Sequence, residues 1–384
     1  MGKISALKEN NTTLHDCEKF ALLLHPINRK LSTDTVKLIL ILAWILGLQP
    51  LHDAGFKGEG MTIAVIDCGF YGADSASFFP QDQIVGFYDL IEDEYRTYGM
   101  TESEFDNHGT LCMSVMFYDG EDFTGTAPKA NYILIRTEEL SDEHRREVDR
   151  LAKGIRLADE LGADIISISL GYSRFDAPET TYSYDELDGT NPAAVAATEA
   201  ARHNRLVCIA AGNEGNKTDY NRITVPGDAD SVLTVASVNE DSLPSSFTSY
   251  GPIAAPRPKP EVAAVGTKVQ VFDPTIPGTR TGNGTSFATP RIAGMAACLW
   301  QALPHLTAMQ LRERIIQSAH LYPEHDERIG YGIPDAWKIY EEERKETGTE
   351  DLPVIHQREK VLLNSTLYIV IDGVRYLPTG QKVR

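Results

Sequence analysis

Short, almost wholly apolar runs alternate with amphipathic stretches through the middle of this chain. Residues 61–67 (Met-Thr-Ile-Ala-Val-Ile-Asp), 131–136, 164–170 (Asp-Ile-Ile-Ser-Ile-Ser-Leu), 206–211 and 231–237 hold few polar residues, as strands covered on both faces do. Between the second and third, Val148, Leu151, Ile155 and Ala158 recur at spacings of three and four, which predicts an amphipathic helix. Asn191-Pro192 is a helix-start signal, with proline in the first turn, and that helix is expected to run to about Asn204. Strand–helix–strand alternation with fully apolar strands predicts an α/β fold, a mostly parallel sheet with helices on both faces. Ligands of such sheets bind at the carboxyl ends of the strands. Asp67 and Asn213 both fall at or just past such an end.

Residues 286–303 read as an apolar helix buried on most sides, with Ser286 at its N-terminus and Pro290 in or near its first turns, where a missing N–H costs least. A further helix is expected over about 307–319, and 329–337 reads as a turn into a last short helix. The charged stretch 342–351 reads as a linker. Beyond it, residues 365–377 alternate around Asp372-Gly373, a two-stranded hairpin signal. Two strands alone are marginal, so the 352–384 tail is expected to pack on something or extend a sheet edge. Toward the other end, the apolar run Leu38–Leu48 is too short to span a bilayer comfortably. It lies far into the chain and no small-x-small cleavage pattern follows. A packing helix is expected there, with a displaced export signal as the alternative. Residues 1–50 as a whole read as a leader or short pro-segment.

The chain has 384 residues, 42% hydrophobic and 24% charged, with a net charge of −19. That is a globular composition with room for one large domain plus appendages. The acidity argues against nucleic acid as a partner and against stable association with an anionic membrane, both of which attract Lys and Arg. A soluble monomer is expected. The five cysteines (Cys17, Cys68, Cys112, Cys208, Cys298) are odd in number and no pair has metal-type spacing, so no disulfide framework is expected.

Three separated segments carry the functional groups of a serine hydrolase. Asp67 ends Ala-Val-Ile-Asp (64–67), His108 opens His-Gly-Thr (108–110), and Ser286 lies in Gly-Thr-Ser-Phe-Ala-Thr-Pro (284–290). A serine hydroxyl is a poor nucleophile at neutral pH; it needs a base in hydrogen-bond reach, and the base needs an orienting carboxylate. The order Asp, His, Ser separates this chain from the two other large serine-hydrolase orders. Asn213, in Ala-Ala-Gly-Asn-Glu-Gly (210–215), is the candidate side-chain donor to an oxyanion, and the helix N-terminus under Ser286 supplies backbone N–H groups.

Residues 51–341 resemble the catalytic domain of the subtilisin-like serine peptidases. The segments named above, with Ser-Leu-Gly (169–171), match that family's pattern. The resemblance implies a three-layer αβα subtilisin-like fold around a seven-stranded, mostly parallel sheet. It assigns Asp67 as the orienting acid, His108 as general base and acid, Ser286 as nucleophile, and Asn213 with the Ser286 N–H as oxyanion hole. Ser169, Leu170 and Gly171 would pair with the substrate backbone as an added strand. The implied activity is serine endopeptidase on protein or peptide substrates. The alternative is a catalytically silent peptide-binding protein on the same scaffold, whose usual mark is a lost triad member.

Two positions depart from the family's pattern. Cys68 follows Asp67 where Thr or Ser is usual, and Cys112 stands four residues after His108, one helical turn on and in reach of the imidazole. The segment Arg174–Asn191 is acidic and Tyr-rich; it is expected to border the substrate cleft and to favour cationic peptides. No cofactor is required by this chemistry. A structural Ca²⁺ is compatible with the acidic segment, although no EF-hand-type spacing is present. A secreted or cell-envelope location is expected from the tail, which resembles short tails on secreted bacterial proteins.

Overall fold

The structure is a computed structural model that describes residues 46–73, 81–91, 94–95, 107–120, 123–138, 143–276 and 278–347, with three strand segments at 358–363, 366–371 and 374–376. Most of the Leu38–Leu48 run and Cys17 lie outside the described residues. Leu46 and Leu48 are buried, and Leu48 opens a short helix, α1 (Leu48–Asp53).

Eight strands form one sheet. In chain order they are β1 (Thr62–Asp67), β2 (Ile84–Asp89), β3 (Glu94–Tyr95), β4 (Asn131–Arg136), β5 (Ile165–Ile168), β6 (Leu206–Ala210), β7 (Leu233–Val238) and β8 (Val262–Val265). Across the sheet they run β3-β2-β4-β1-β5-β6-β7-β8. The pairings are parallel, apart from the two-residue antiparallel β3 on β2. Each of the five runs singled out by hydropathy is a strand of this sheet. Of the three that were not, β2 is half-buried and interrupted by an irregularity near Gly86, β3 is two residues long, and β8 is only Val-Ala-Ala-Val.

Helices cover both faces. Helix α2 (His108–Phe117) and helix α5 (Thr285–Ala302) pack together, and α5 runs along β5 to β8. Helices α3 (Arg145–Glu160) and α4 (Pro192–Arg202) pack on each other and share one apolar core with Ala64, Ile66, Ile166, Ile168, Val207 and Ile209. The face of α3 in that core carries Val148, Leu151, Ile155 and Ala158, the residues whose spacing predicted the helix. Asn191 caps α4 through its side chain, which accepts the Ala194 N–H at 2.9 Å, and Pro192 follows in the first turn. Helix α6 (Ala308–Ser318) precedes α7 (Ala336–Thr347). The last helix continues to Thr347, through the first residues of the stretch read as a linker. A separate antiparallel hairpin joins β9 (Val269–Phe272) and β10 (Thr279–Gly282). At the tail, β12 (Thr366–Ile371) and β13 (Val374–Tyr376) are the expected hairpin, and β11 (Arg358–Leu363) pairs with β12 as a third strand.

This topology fixes where a site can form. β1 and β5 are neighbours, and the chain leaves the carboxyl end of β1 toward β2 and that of β5 toward β6, on opposite sides of the pair. A crevice opens at such a switch point, and Asp67 is the last residue of β1.

Candidate active site

Side chains alternate across a strand. In β1, Ala64 and Ile66 enter the α3–α4 core, so Asp67 points to the opposite face, the face of α2. Its side chain is fully buried. Asp67 Oδ1 lies 2.6 Å from His108 Nδ1 and accepts the Cys68 backbone N–H at 2.8 Å. Gly109 makes this approach possible. Its N–H donates to the Gly69 carbonyl at 2.9 Å, and a Cβ at Gly109 would lie 2.5 Å from that oxygen and 2.9 Å from Asp67 Cβ. The glycine of His-Gly-Thr thus lets the first turn of α2 seat His108 on the end of β1.

The His108 side chain is 31% exposed. Burial opposes its positive charge, yet the Asp67 carboxylate, with which it also hydrogen-bonds, raises its proton affinity well above the ordinary histidine value. Cys112 Sγ lies 3.7 Å from Nδ1 and 3.8 Å from Nε2. Near-equal distances to both nitrogens place the thiol against the ring face, one helical turn along as the spacing predicts. Burial raises the Cys112 thiol above its ordinary range, and pushes Cys68 to about 12 with help from the adjacent Asp67. Cys68, Cys112, Cys208 and Cys298 are all free and buried.

Ser286 is the second residue of α5. In β5, Ile166 and Ile168 face the α3–α4 core, so Ser169, just past its end, is on the α5 side. Its Oγ donates to the Ser286 carbonyl at 2.9 Å. Pro290 explains that bond. It stands four residues after Ser286, inside the helix, and lacks the N–H that would bond the Ser286 carbonyl. Ser169 supplies the missing donor and ties the nucleophile candidate's backbone to the crevice edge. Pro290 is therefore in the second turn of α5, and the cost of its missing N–H is met from outside the helix. Ser286 Oγ in turn donates to the Ser169 carbonyl at 3.2 Å. Among the contacts of the described residues, no hydrogen bond joins Ser286 Oγ to His108.

Asn213 follows β6 and Gly212. Gly212 has φ +103°, and a Cβ there would lie 2.6 Å from the Thr224 side chain, so only glycine fits. Asn213 Oδ1 accepts both the Thr285 N–H at 2.9 Å and the Thr285 hydroxyl at 3.0 Å. A backbone N–H can only donate, so the oxygen end is fixed and the Nδ2 end is left for the cavity. Asn213→Ala is expected to lower kcat about 100- to 1,000-fold with little change in KM, the magnitude such a donor shows in subtilisin. Steady-state kinetics on a peptide substrate read this directly.

The site residues meet in one cavity of about 390 Å³. His108, Ser169, Leu170, Gly171, Asn213 and Ser286 all line it, with Cys68 and Thr285. Asp67 stands behind His108. Two further carboxylic acids line the cavity and were not anticipated from sequence: Glu138 and Glu214. Glu214 is held by Arg174 at 2.6 Å. Glu138 sits two residues past the end of β4, buried, and accepts from Tyr172 Oη at 3.3 Å. Burial, with Glu143, Glu147 and Asp67 nearby, pushes it to about 8. The signal in sequence was its place just past a strand's carboxyl end, the same signal that marked Asp67.

The acidic segment Arg174–Asn191 departs from expectation. Asp185, Glu186 and Asp188 line a different pocket, with Arg145, Tyr182 and Pro192. Glu186 pairs with Arg145 at 3.0 Å, and Glu179 accepts the Arg145 N–H. These carboxylates tie the segment to the start of α3; the segment reaches the catalytic cavity through the Arg174–Glu214 pair. Among the described residues, Asp67, Cys68 and His108 are the one group of three that brings metal-ligand atoms together, within 4.8 Å of one another.

A model of the Subtilase family matches residues 58–332. Serine protease AprX of Bacillus subtilis (strain 168) is 28% identical over 307 residues, covering 72% of this chain and 64% of that protein. Mycosin-4 of Mycobacterium tuberculosis is 31% identical over 316 residues, covering 73% of this chain and 64% of the relative. The chain thus spans somewhat less than two thirds of the length of either. Subtilisin DY of Bacillus licheniformis is 29% identical over 268 residues, 69% of this chain and 85% of that protein. Among solved structures, the MycP3 protease from the type VII (ESX-3) secretion system shares the fold with a TM-score of 0.61 at 24% identity, over 78% of this chain and 87% of that one.

Proposed function

The chain belongs to the subtilase family of serine peptidases, and on that premise we propose that it is a serine endopeptidase that cleaves peptide bonds through an acyl-enzyme on Ser286. The observation that carries the reading is the buried Asp67 carboxylate 2.6 Å from His108 Nδ1, with His108 lining the same cavity as Ser286. A carboxylate there fixes the tautomer with its proton on Nδ1 and leaves Nε2 as the base. Rotation about the Ser286 Cα–Cβ bond would turn Oγ from the Ser169 carbonyl toward the imidazole; such bonds often tighten only when substrate is bound. His108 then takes the hydroxyl proton as Oγ attacks the scissile carbonyl. The oxyanion meets the Ser286 N–H and Asn213 Nδ2, His108 returns the proton to the leaving amine, and water repeats the cycle on the ester.

The substrate is a protein or peptide, laid along Ser169–Gly171 as an added strand. We propose a monomer with no cofactor requirement, no nucleic-acid partner and a secreted or cell-envelope location. No helix among the described residues is long and apolar enough to cross a membrane.

The test is a pH–rate profile with active-site labelling. His108 must be neutral to accept a proton, and its proton affinity is raised. kcat/KM is therefore expected to climb with pH through a midpoint above the ordinary 6.5 of histidine. A fluorophosphonate should label Ser286, located by peptide mass spectrometry. No label and no hydrolysis at any pH would favour the silent binding protein.

A further inference from the structure

We propose that Asp67, Cys68 and His108 form a binding site for one soft or borderline divalent cation of the Zn²⁺ class, and that its occupancy switches peptide hydrolysis off. The effect on turnover rests on the serine-peptidase reading; the binding itself does not.

Three donor types converge: a carboxylate oxygen, a thiol sulfur and an imidazole nitrogen, all within 4.8 Å of one another. Asp67 Oδ2 is buried and has no hydrogen-bond partner, although Oδ1 of the same carboxylate has two. A buried carboxylate oxygen without a partner is costly and calls for an explanation, an ion among them. The residue beside it is Cys68, where Thr or Ser is usual in the family. Cys68 also lines the catalytic cavity, which gives an ion a path to the cluster.

The sizes fit. Zn–S bonds are about 2.3 Å and Zn–N or Zn–O bonds about 2.0–2.2 Å, so tetrahedral ligand atoms stand roughly 3.3–3.6 Å apart. Drawing the cluster together from 4.8 Å asks for about an ångström of side-chain movement. The thiol selects Zn²⁺, Cd²⁺ or Hg²⁺ over Mg²⁺ or Ca²⁺, and a fourth position stays open to water. On binding, Cys68 releases its thiol proton to solvent. Either mode of imidazole coordination removes the base. A metal on Nδ1 leaves the ring's one proton on Nε2, which then cannot take the Ser286 proton. A metal on Nε2 occupies the lone pair outright. Cys112 lies against the ring face, off the in-plane lone pairs, and is not needed as a ligand.

The probes are Zn²⁺ and Cd²⁺ on the full chain, with C68T, C68S and C112S. Cd²⁺ titration of the wild type should raise a thiolate-to-metal ultraviolet band saturating at one equivalent. The band should be lost in C68T and in C68S, which guards against misfolding of either variant, and kept in C112S. Zn²⁺ should inhibit wild-type hydrolysis. Relative to each variant's own metal-free rate, the half-inhibitory concentration should rise at least about tenfold in C68T and stay within about threefold in C112S. Absence of the band in wild type, its persistence in both Cys68 variants, or Zn²⁺ inhibition that depends on Cys112 instead would overturn the proposal. A Cys68-dependent Cd²⁺ band in a protein that never hydrolyses peptides would uphold the site and sink the peptidase reading instead.

Discussion

Ser286→Ala is expected to abolish peptide hydrolysis, with kcat falling on the order of 10⁶-fold, the loss that removing the nucleophile causes in a subtilisin. The variant should still fold and bind substrate. Ser286 Oγ makes one hydrogen bond, to the Ser169 carbonyl, and such a bond contributes about 1 kcal/mol. The reciprocal bond, from Ser169 Oγ, goes to the Ser286 backbone carbonyl, which alanine keeps. The oxyanion donors are also retained: a backbone N–H and Asn213. Peptide affinity should therefore hold while turnover is lost, and fluorophosphonate labelling should vanish with unchanged circular dichroism. A variant that loses less than about tenfold in kcat would place the nucleophile elsewhere. One that loses peptide affinity to the same degree as rate would mean that Ser286 binds rather than reacts.

What the sequence disclosed and what it hid divide along physical lines. Strands covered on both faces are continuous apolar runs, so β1, β4, β5, β6 and β7 were readable. β2 is only partly buried, β3 is two residues long, β8 is apolar but only four residues long, and β10 is polar, so these were not. The candidate site was legible in identity because each group stands in a tight local motif: Asp67 at a strand end, Gly109 beside His108, Gly212 before Asn213. Partners brought together only by the fold were invisible. Nothing local tells that Ser169 supplies the donor that Pro290 withholds from Ser286, or that Arg145 engages Glu179 and Glu186 of the 174–191 segment. Glu138 was missed for the same reason. Its character comes from burial beside Tyr172 and other carboxylates, none of which is its neighbour along the chain in a recognisable pattern.

Asp67→Asn is expected to cut kcat on the order of 10⁴-fold while leaving KM nearly unchanged, because the side chain is fully buried behind His108 and reaches no substrate. An asparagine has two ways to sit, and both fail. With its oxygen at the Oδ1 position it still accepts from Cys68 N–H and His108 Nδ1. Its amide then takes the place of Oδ2, where the wild type offers no partner, and the charge that stabilises the imidazolium is gone. With the amide turned round, an NH₂ faces the Cys68 N–H, donor against donor, and drives the imidazole to the tautomer protonated on Nε2, which cannot accept from Ser286. The pH profile separates this from a merely structural defect. Asp67 is what raises His108 against the effect of burial; without it the ring becomes neutral at lower pH. The rising limb of the residual activity should therefore move to lower pH than in wild type. A damaged fold would lower the rate and leave the midpoint where it was. A D67N enzyme with an unmoved midpoint, or one within about tenfold of wild-type kcat, would remove Asp67 from its role as the residue that positions the base.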